Sequence, residues 1–146
     1  MEGYKVANAL MLLLALLASS CSSDAGGPDN QPMNVAGRWN VEQYFLENTA
    51  YPEQQPFSFA VYEWQLTQAG NTVSGTIASG PRTGTITGTL SGNTFTGTMH
   101  LQFDPVAYRE LTLQFSANSA TGTALYAPPA STELHRYRMT LNRGAP

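Results

Sequence analysis

From residue 36 onward the chain alternates between apolar and polar positions with a period of two. Val73, Gly75 and Ile77 fall on one face of a stretch whose other face is Thr72, Ser74 and Thr76. Ile86, Gly88 and Leu90 oppose Thr83, Thr85, Thr87 and Thr89 in the same way. Phe95, Gly97, Met99, Leu101 and Phe103 oppose Thr94, Thr96, Thr98, His100 and Gln102, and the runs Leu111-Leu113-Phe115 and Tyr137-Met139-Leu141 continue the pattern. Alternation over such lengths describes half-buried antiparallel strands, and threonine suits the wet outer side of a pleated sheet. No long window carries the period or the caps of an amphipathic helix. The pattern predicts an all-β domain of eight strands, near residues 37–46, 58–68, 72–79, 82–90, 94–103, 108–117, 120–126 and 134–142.

A weak internal repeat accompanies these strands. Gly70-Asn71-Thr72-Val73-Ser74-Gly75-Thr76 is echoed by Gly92-Asn93-Thr94-Phe95-Thr96-Gly97-Thr98, each copy a turn leading into a strand with an inward glycine. Eight meandering strands with free edges would aggregate, so the expected solution is closure into an antiparallel up-and-down barrel. Its connections differ by end. Those near residues 68–71, 91–93 and 117–119 are short and polar, suited to tight hairpins. Those at 47–57, 79–82, 104–107 and 127–132 hold most of the prolines, with Tyr51, Phe57, Tyr108 and Tyr126 in or beside them. One end is held shut and longer loops ring the other, which is where binding residues on a rigid scaffold belong.

The first strand reads Ala36-Gly37-Arg38-Trp39-Asn40-Val41. A Gly-x-Trp at that position resembles the lipocalins and the wider calycin group, which includes avidin-like proteins. The resemblance implies that Gly37 and Trp39 close the barrel floor, with Trp39 packed against an arginine from the last strand. Arg143 is the nearest candidate for that cation and Arg138 the next, and the cation gains from an indole face. A large first loop, stiffened here by Pro52 and Pro56, resembles the lipocalin loop that covers a ligand.

The aromatic residues Phe45, Tyr51, Phe57, Phe59, Phe103, Tyr126 and Tyr137 gather toward the open end. They form either a ligand-contacting rim and lid or ordinary packing under a loop. His135 is placed to offer a ligand a hydrogen bond, or else lies on the surface. The inward glycines Gly75, Gly84, Gly88, Gly97 and Gly122 either leave an empty cup or mark places where strands coil and cross tightly.

The N-terminal region reads as an address. Val6 to Ala18 is an apolar run with the length of a signal-peptide core and too short to span a bilayer, and Lys5 supplies the positive flank. It ends in Leu17-Ala18-Ser19-Ser20-Cys21, which resembles the bacterial lipobox. The resemblance implies cleavage before Cys21 and acylation of that cysteine with chains such as palmitate. Each buried CH₂ then contributes about 0.8 kcal/mol to membrane retention. The alternative is an ordinary secretory signal cut near Ser20. Ser22, in place of an aspartate, resembles an outer-membrane sorting signal. The expected organisation is a signal peptide at 1–20, a lipidated cysteine and flexible linker at 21–35, and a lipocalin-like barrel at 36–146 in the cell envelope.

Composition narrows the chemistry. Only 12% of the 146 residues are charged and the net charge is −3, so no basic field for nucleic acid is present. A single cysteine excludes an internal disulfide, and two separated histidines suggest neither a metal site nor a cofactor. The chain has no Gly-x-Ser-x-Gly elbow, phosphate loop or His-Glu-x-x-His, and no catalytic residues are assigned. The expected function is non-catalytic binding of a small apolar or amphipathic ligand at the open end. The alternative is a protein-binding module whose loops engage a partner, similar to small periplasmic barrels that inhibit hydrolases. For the anchor, Cys21→Ala should move the protein from the membrane to the soluble fraction on cell fractionation; continued membrane retention would refute lipidation at Cys21.

Overall fold

A computed structural model of the protein describes residues 32–102, 108–128 and 132–145. Cys21, the apolar run before it and most of the expected linker lie outside the described residues, as does Phe103. The strands are β1 (Gly37–Asn48), β2 (Phe57–Ala69), β3 (Thr72–Ser79), β4 (Arg82–Ser91), β5 (Thr94–Leu101), β6 (Tyr108–Phe115), β7 (Ser119–Tyr126) and β8 (His135–Arg143). Each pairs antiparallel with the next, and β8 returns to pair with β1. The fold is an all-β, eight-stranded, closed up-and-down barrel.

Period-two patterning decides which side chains fill it. Trp39, Trp64, Leu66, Ile77, Ile86, Leu90, Phe95 and their like on the remaining strands are fully buried. The intervening threonines pair across the outer face, as Thr72 with Thr89, Thr76 with Thr85, and Thr87 with Thr98. Such cross-strand pairs stabilise a wet sheet face without charge.

The strands are strongly staggered. Stepping between partners from Gly37 passes through Leu66, Gly75, Ile86, Met99 and Tyr108. Tyr108 lies 4.9 Å from the Tyr126 ring, and Tyr126 leads through His135 to Asn48, at the opposite end of β1 from the start. Stagger of this kind is what closure of a tilted sheet requires.

The inward glycines mark close backbone approach, which settles them against an empty cup. A Cβ on Gly75 would lie 2.5 Å from the Gln65 carbonyl oxygen and 2.9 Å from Leu66. One on Gly88 would lie 2.6 Å from the Phe95 ring, and Gly97, paired directly with Gly88, faces the same ring. A Cβ on Gly122 would overlap the Thr112 carbonyl. Neighbouring large side chains occupy the space that glycine leaves.

Two slips of register reshape the open end. Between Gln43 and Tyr44 the β1–β2 pairing jumps so that Phe59 becomes an extra residue, and Phe57 then stands opposite Phe45. Between Phe45 and Glu47 the β1–β8 pairing jumps past Leu46, and Asn48 then stands opposite His135. Each bulge reverses the in/out phase for the residues beyond it. Strand β1 therefore extends past the expected residue 46, and Asn48 is buried at its end.

The floor is sealed by side chains and by a segment expected to belong to the linker. Arg143 lies over the Trp39 ring at 4.6 Å, while its guanidinium donates to the carbonyls of Ala36, Asn34 and Ala117. Trp39 donates its indole N–H to the Val35 carbonyl at 2.9 Å and meets Phe115 edge-on at 5.1 Å. Val35 is wholly buried, and its N–H donates to the Gln68 side chain at 2.8 Å, while the Met33 N–H donates to the Gly92 carbonyl at 3.1 Å. Residues 32–36 are thus part of the barrel, because Met33 and Val35 cover apolar surface that the polar hairpins leave open. Arg138 is not at the floor. It stands outside the barrel, 4.7 Å over the Tyr44 ring.

Gly122→Ala is expected to destabilise the barrel by about 1–3 kcal/mol through overpacking, whereas Thr121→Ala on the wet face changes stability by under about 0.5 kcal/mol. Urea unfolding of the two variants checks this.

Candidate functional site

The open end combines an aromatic cluster with a small polar one. Phe45 on β1 stacks on Phe57 at 5.0 Å and meets Tyr137 of β8 at 5.7 Å. Phe59 reaches the Tyr137 ring at 5.1 Å, and Tyr108 of β6 lies 5.6 Å from Tyr137. Tyr126 of β7 and His135 of β8 complete the arc, 5.7 Å apart. Of the sequence-predicted site residues, Phe45, Phe57, Phe59, Tyr126, His135 and Tyr137 come together here. Tyr51 stands apart in the β1–β2 loop, 56% exposed.

The register slips make this cluster possible. With unbroken alternation from Trp64 and Leu66, Phe57 and Phe59 would both face solvent. The bulge at Phe59 instead brings Phe57 onto the inner side and lets Phe59 lean across to Tyr137. Both rings remain partly uncovered, Phe57 at 41% and Phe59 at 44%. With Tyr51, Val61 and Leu134 they are the exposed large apolar side chains among the described residues, and Phe57 and Phe59 are the two whose rings meet each other and the buried arc. Clustering of exposed apolar surface at one place is the usual mark of a binding surface, whereas scattered residues are not.

The polar cluster ties the loops to the strands. Asn48 accepts the N–H of Ala50 at 2.8 Å, and its amide nitrogen lies 3.1 Å from His135 Nε2. Glu133 Oε2 lies 3.3 Å from the same His135 nitrogen and 3.5 Å from the Asn48 amide. Thr49 and Leu134 exchange two hydrogen bonds, Thr49 N–H to the Leu134 carbonyl and Leu134 N–H to the Thr49 hydroxyl. His135 is therefore a half-buried link between β8, the end of β1 and the β7–β8 connection, with one ring edge toward the aromatic arc.

Among the described residues no charged side chain is buried in the interior below the rim. Charged side chains on β1, β2 and β8 such as Glu42, Glu63, Arg136 and Arg138 occupy outer-face positions, and Arg136 pairs there with Glu47 at 3.0 Å. Inside stand Gln43, Tyr62, Tyr108 and Tyr137, all buried. Gln43 is 0% exposed, and neither its amide nitrogen nor its oxygen has a hydrogen-bond partner. The buried indole N–H of Trp64 is likewise unpartnered. Burial pushes the Tyr137 phenol well above the ordinary tyrosine range, reinforced by the phenols of Tyr108, Tyr62 and Tyr126 around it.

Sequence reasoning did not assign Gln43, Asn48, Tyr62 or Tyr108 to this site. A signal for Gln43 was present, since it is the polar member of the inward series Trp39, Val41, Gln43, Phe45. Asn48 carried none, because its inward direction follows from the bulge at Leu46. A separate groove of about 390 Å³ opens on the outer face between Glu47, Thr49, Glu110, Leu125, Leu134 and Arg136. Among the described residues no group of three or more His, Cys, Asp or Glu side chains could hold a metal ion. No protein-family model matches the chain, and no curated protein matches it.

The Tyr137 environment has a pH consequence. The folded state keeps this phenol protonated at pH values where the unfolded chain, with a tyrosine pKa of about 10, releases the proton. The contribution is intact below about pH 10 and is lost as pH rises beyond it, at up to about 1.4 kcal/mol per pH unit. Tyr137→Phe should flatten the decline of the urea midpoint between about pH 9 and about pH 11 relative to the unaltered protein.

Proposed function

We propose that this protein is a non-catalytic binding protein that takes a small amphipathic ligand at the open end of its barrel, held at the cell envelope by a lipid on Cys21. The observation that carries the reading is the aromatic arc itself. Phe57 and Phe59 present uncovered faces that run without interruption into the buried rings of Phe45, Tyr137 and Tyr108. An apolar body laid on this arc removes both its own surface and that of the two phenylalanines from water, at roughly 25 cal/mol per Å². His135 and Asn48 stand beside the arc as hydrogen-bonding groups. Residues 32–36 join the barrel at the floor, which suits a tether that turns the open end away from the membrane.

The binding is of the rim and upper barrel. The lower barrel is filled by Trp39, Trp64, Phe95 and the leucines around them, and the glycines open no cup there. Chemistry is not part of the proposal, because His135 is engaged with Asn48 and Glu133 in holding the loop ends. The outer-membrane destination rests on Ser22 and the lipobox-like run alone.

A second reading, binding of a protein partner by the loops, is favoured by Tyr51 and Val61, which are 56% and 64% exposed and stand outside the ring cluster. The two readings separate experimentally. Native mass spectrometry of the protein purified from membranes should reveal a co-purifying small molecule, and a fluorescent acyl-chain probe should bind with an affinity that falls at least about tenfold in the Phe57→Ser/Phe59→Ser double variant. Absence of both the small molecule and probe binding would remove the first reading, and a Tyr51→Ala/Val61→Ser variant that loses a cross-linked envelope protein would establish the second.

A further inference from the structure

The described residues hold three buried polar side-chain atoms with no hydrogen-bond partner, and all three are on β1 and β2: both ends of the Gln43 amide and the Trp64 indole nitrogen. On the inner face the row Gln43–Ala60 lies one inward row, Val41–Tyr62, from the row Trp39–Trp64. A buried primary amide left without partners is destabilising, and a leucine of similar size there would not carry that penalty. Local packing therefore does not account for a glutamine at this position.

Its surroundings define what it could read. On β2 its partner is Ala60, and on β8 its partner is Met139. Next along β1 on the inner face is Phe45, the root of the aromatic arc. The amide thus stands one inward position below the surface on which the proposed ligand lies. A primary amide offers donors and an acceptor side by side in one plane. No charged side chain of β1, β2 or β8 points inward beside it, so an ionised group brought to this depth would lack a counter-charge and carry a large desolvation penalty.

Building on the amphipathic-ligand reading, we infer that Gln43 is the specificity residue for the ligand's polar head, and that this head is uncharged and amide-like, presenting a donor and an acceptor on one edge. The apolar body of such a ligand lies against Phe45, Phe57 and Phe59, and its head descends past Tyr137 to pair with Gln43. Selection is then by hydrogen bonding in a dry site. A ligand that lacks either the donor or the acceptor leaves half of the glutamine unpaired and is rejected.

The test uses the full chain carrying Cys21→Ala and three probes of equal acyl length: octanamide, methyl octanoate and octanoate. Calorimetric titration should show octanamide binding at least about tenfold more tightly than the ester, with octanoate weakest. Gln43→Leu should abolish the preference for the amide while keeping ester binding within about threefold, and should raise the unfolding temperature of the ligand-free protein. Gln43→Met, unbranched and of similar length, repeats the measurement should the leucine variant fail to fold. The Phe57→Ser/Phe59→Ser variant should weaken all three probes alike. Equal binding of amide and ester by the unaltered protein, or a preference that survives in both Gln43 variants, overturns the role of Gln43 and leaves rim binding intact. Failure of every probe to bind overturns the ligand reading itself.

Discussion

Every other feature of the fold depends on the pairing of β1 with β8. That pairing removes the last free edge from a set of strands that carries very little charge with which to protect one. Once the ring is closed, each residue of a strand must face either the interior or the water, so a single period of two sorts the threonines outward and the large apolar side chains inward. Closure also imposes the stagger that carries the ladder from Gly37 at one end of β1 to Asn48 at the other. The stagger in turn brings backbones close enough that Gly88, Gly97 and Gly122 cannot bear a side chain without displacing a carbonyl.

The two ends solve the problem of a finished ring differently. At the floor, polar groups are paired in detail: Trp39 with Val35, Val35 with Gln68, and Arg143 with three carbonyls while its flat face covers the indole. Residues 32–36 complete the seal. At the open end the bulges at Leu46 and Phe59 lengthen and twist β1 and β2, and the side chains they redirect are the ones that form the rim. The floor is built for order. The rim exposes aromatic faces of Phe57 and Phe59 that packing within the described residues does not cover.

The fold was legible because alternation is a local property that survives closure. All eight strands lie within a few residues of their expected positions, and the Gly-x-Trp of Gly37 and Trp39 pointed to the floor contact with Arg143. What local pattern could not convey is phase. Nothing in Phe57-Ser58-Phe59-Ala60 announces that one residue is extra, yet that residue decides whether two phenylalanines face water or the rim. The same is true of Leu46 and the inward turn of Asn48. Met33 and Val35, alternate apolar residues in a polar stretch, belong to the barrel and not to the linker, and their role shows only against the finished floor. The inward glycines admitted two readings from sequence, and only the positions of Phe95, Leu66 and the facing carbonyls decide between them.

Gln43 is the point at which the levels of the structure disagree. Over most of the barrel propensity, patterning, turn chemistry and packing agree, which is the condition for a sequence to specify one fold. At Gln43 the pattern calls for an apolar residue between Val41 and Phe45 and the chain supplies an amide, fully buried and without a partner. Set against a total stability of about 5–15 kcal/mol for a domain of this kind, an unsatisfied buried amide is a sizeable fraction to forgo. The fold can carry such a conflict because the closed ladder and the hydrogen bonds of Val35, Trp39 and Arg143 at the floor hold the backbone independently of it. The conflict lies beneath the half-uncovered rings of Phe57 and Phe59, and a ligand that spans both would resolve the two anomalies with a single set of contacts.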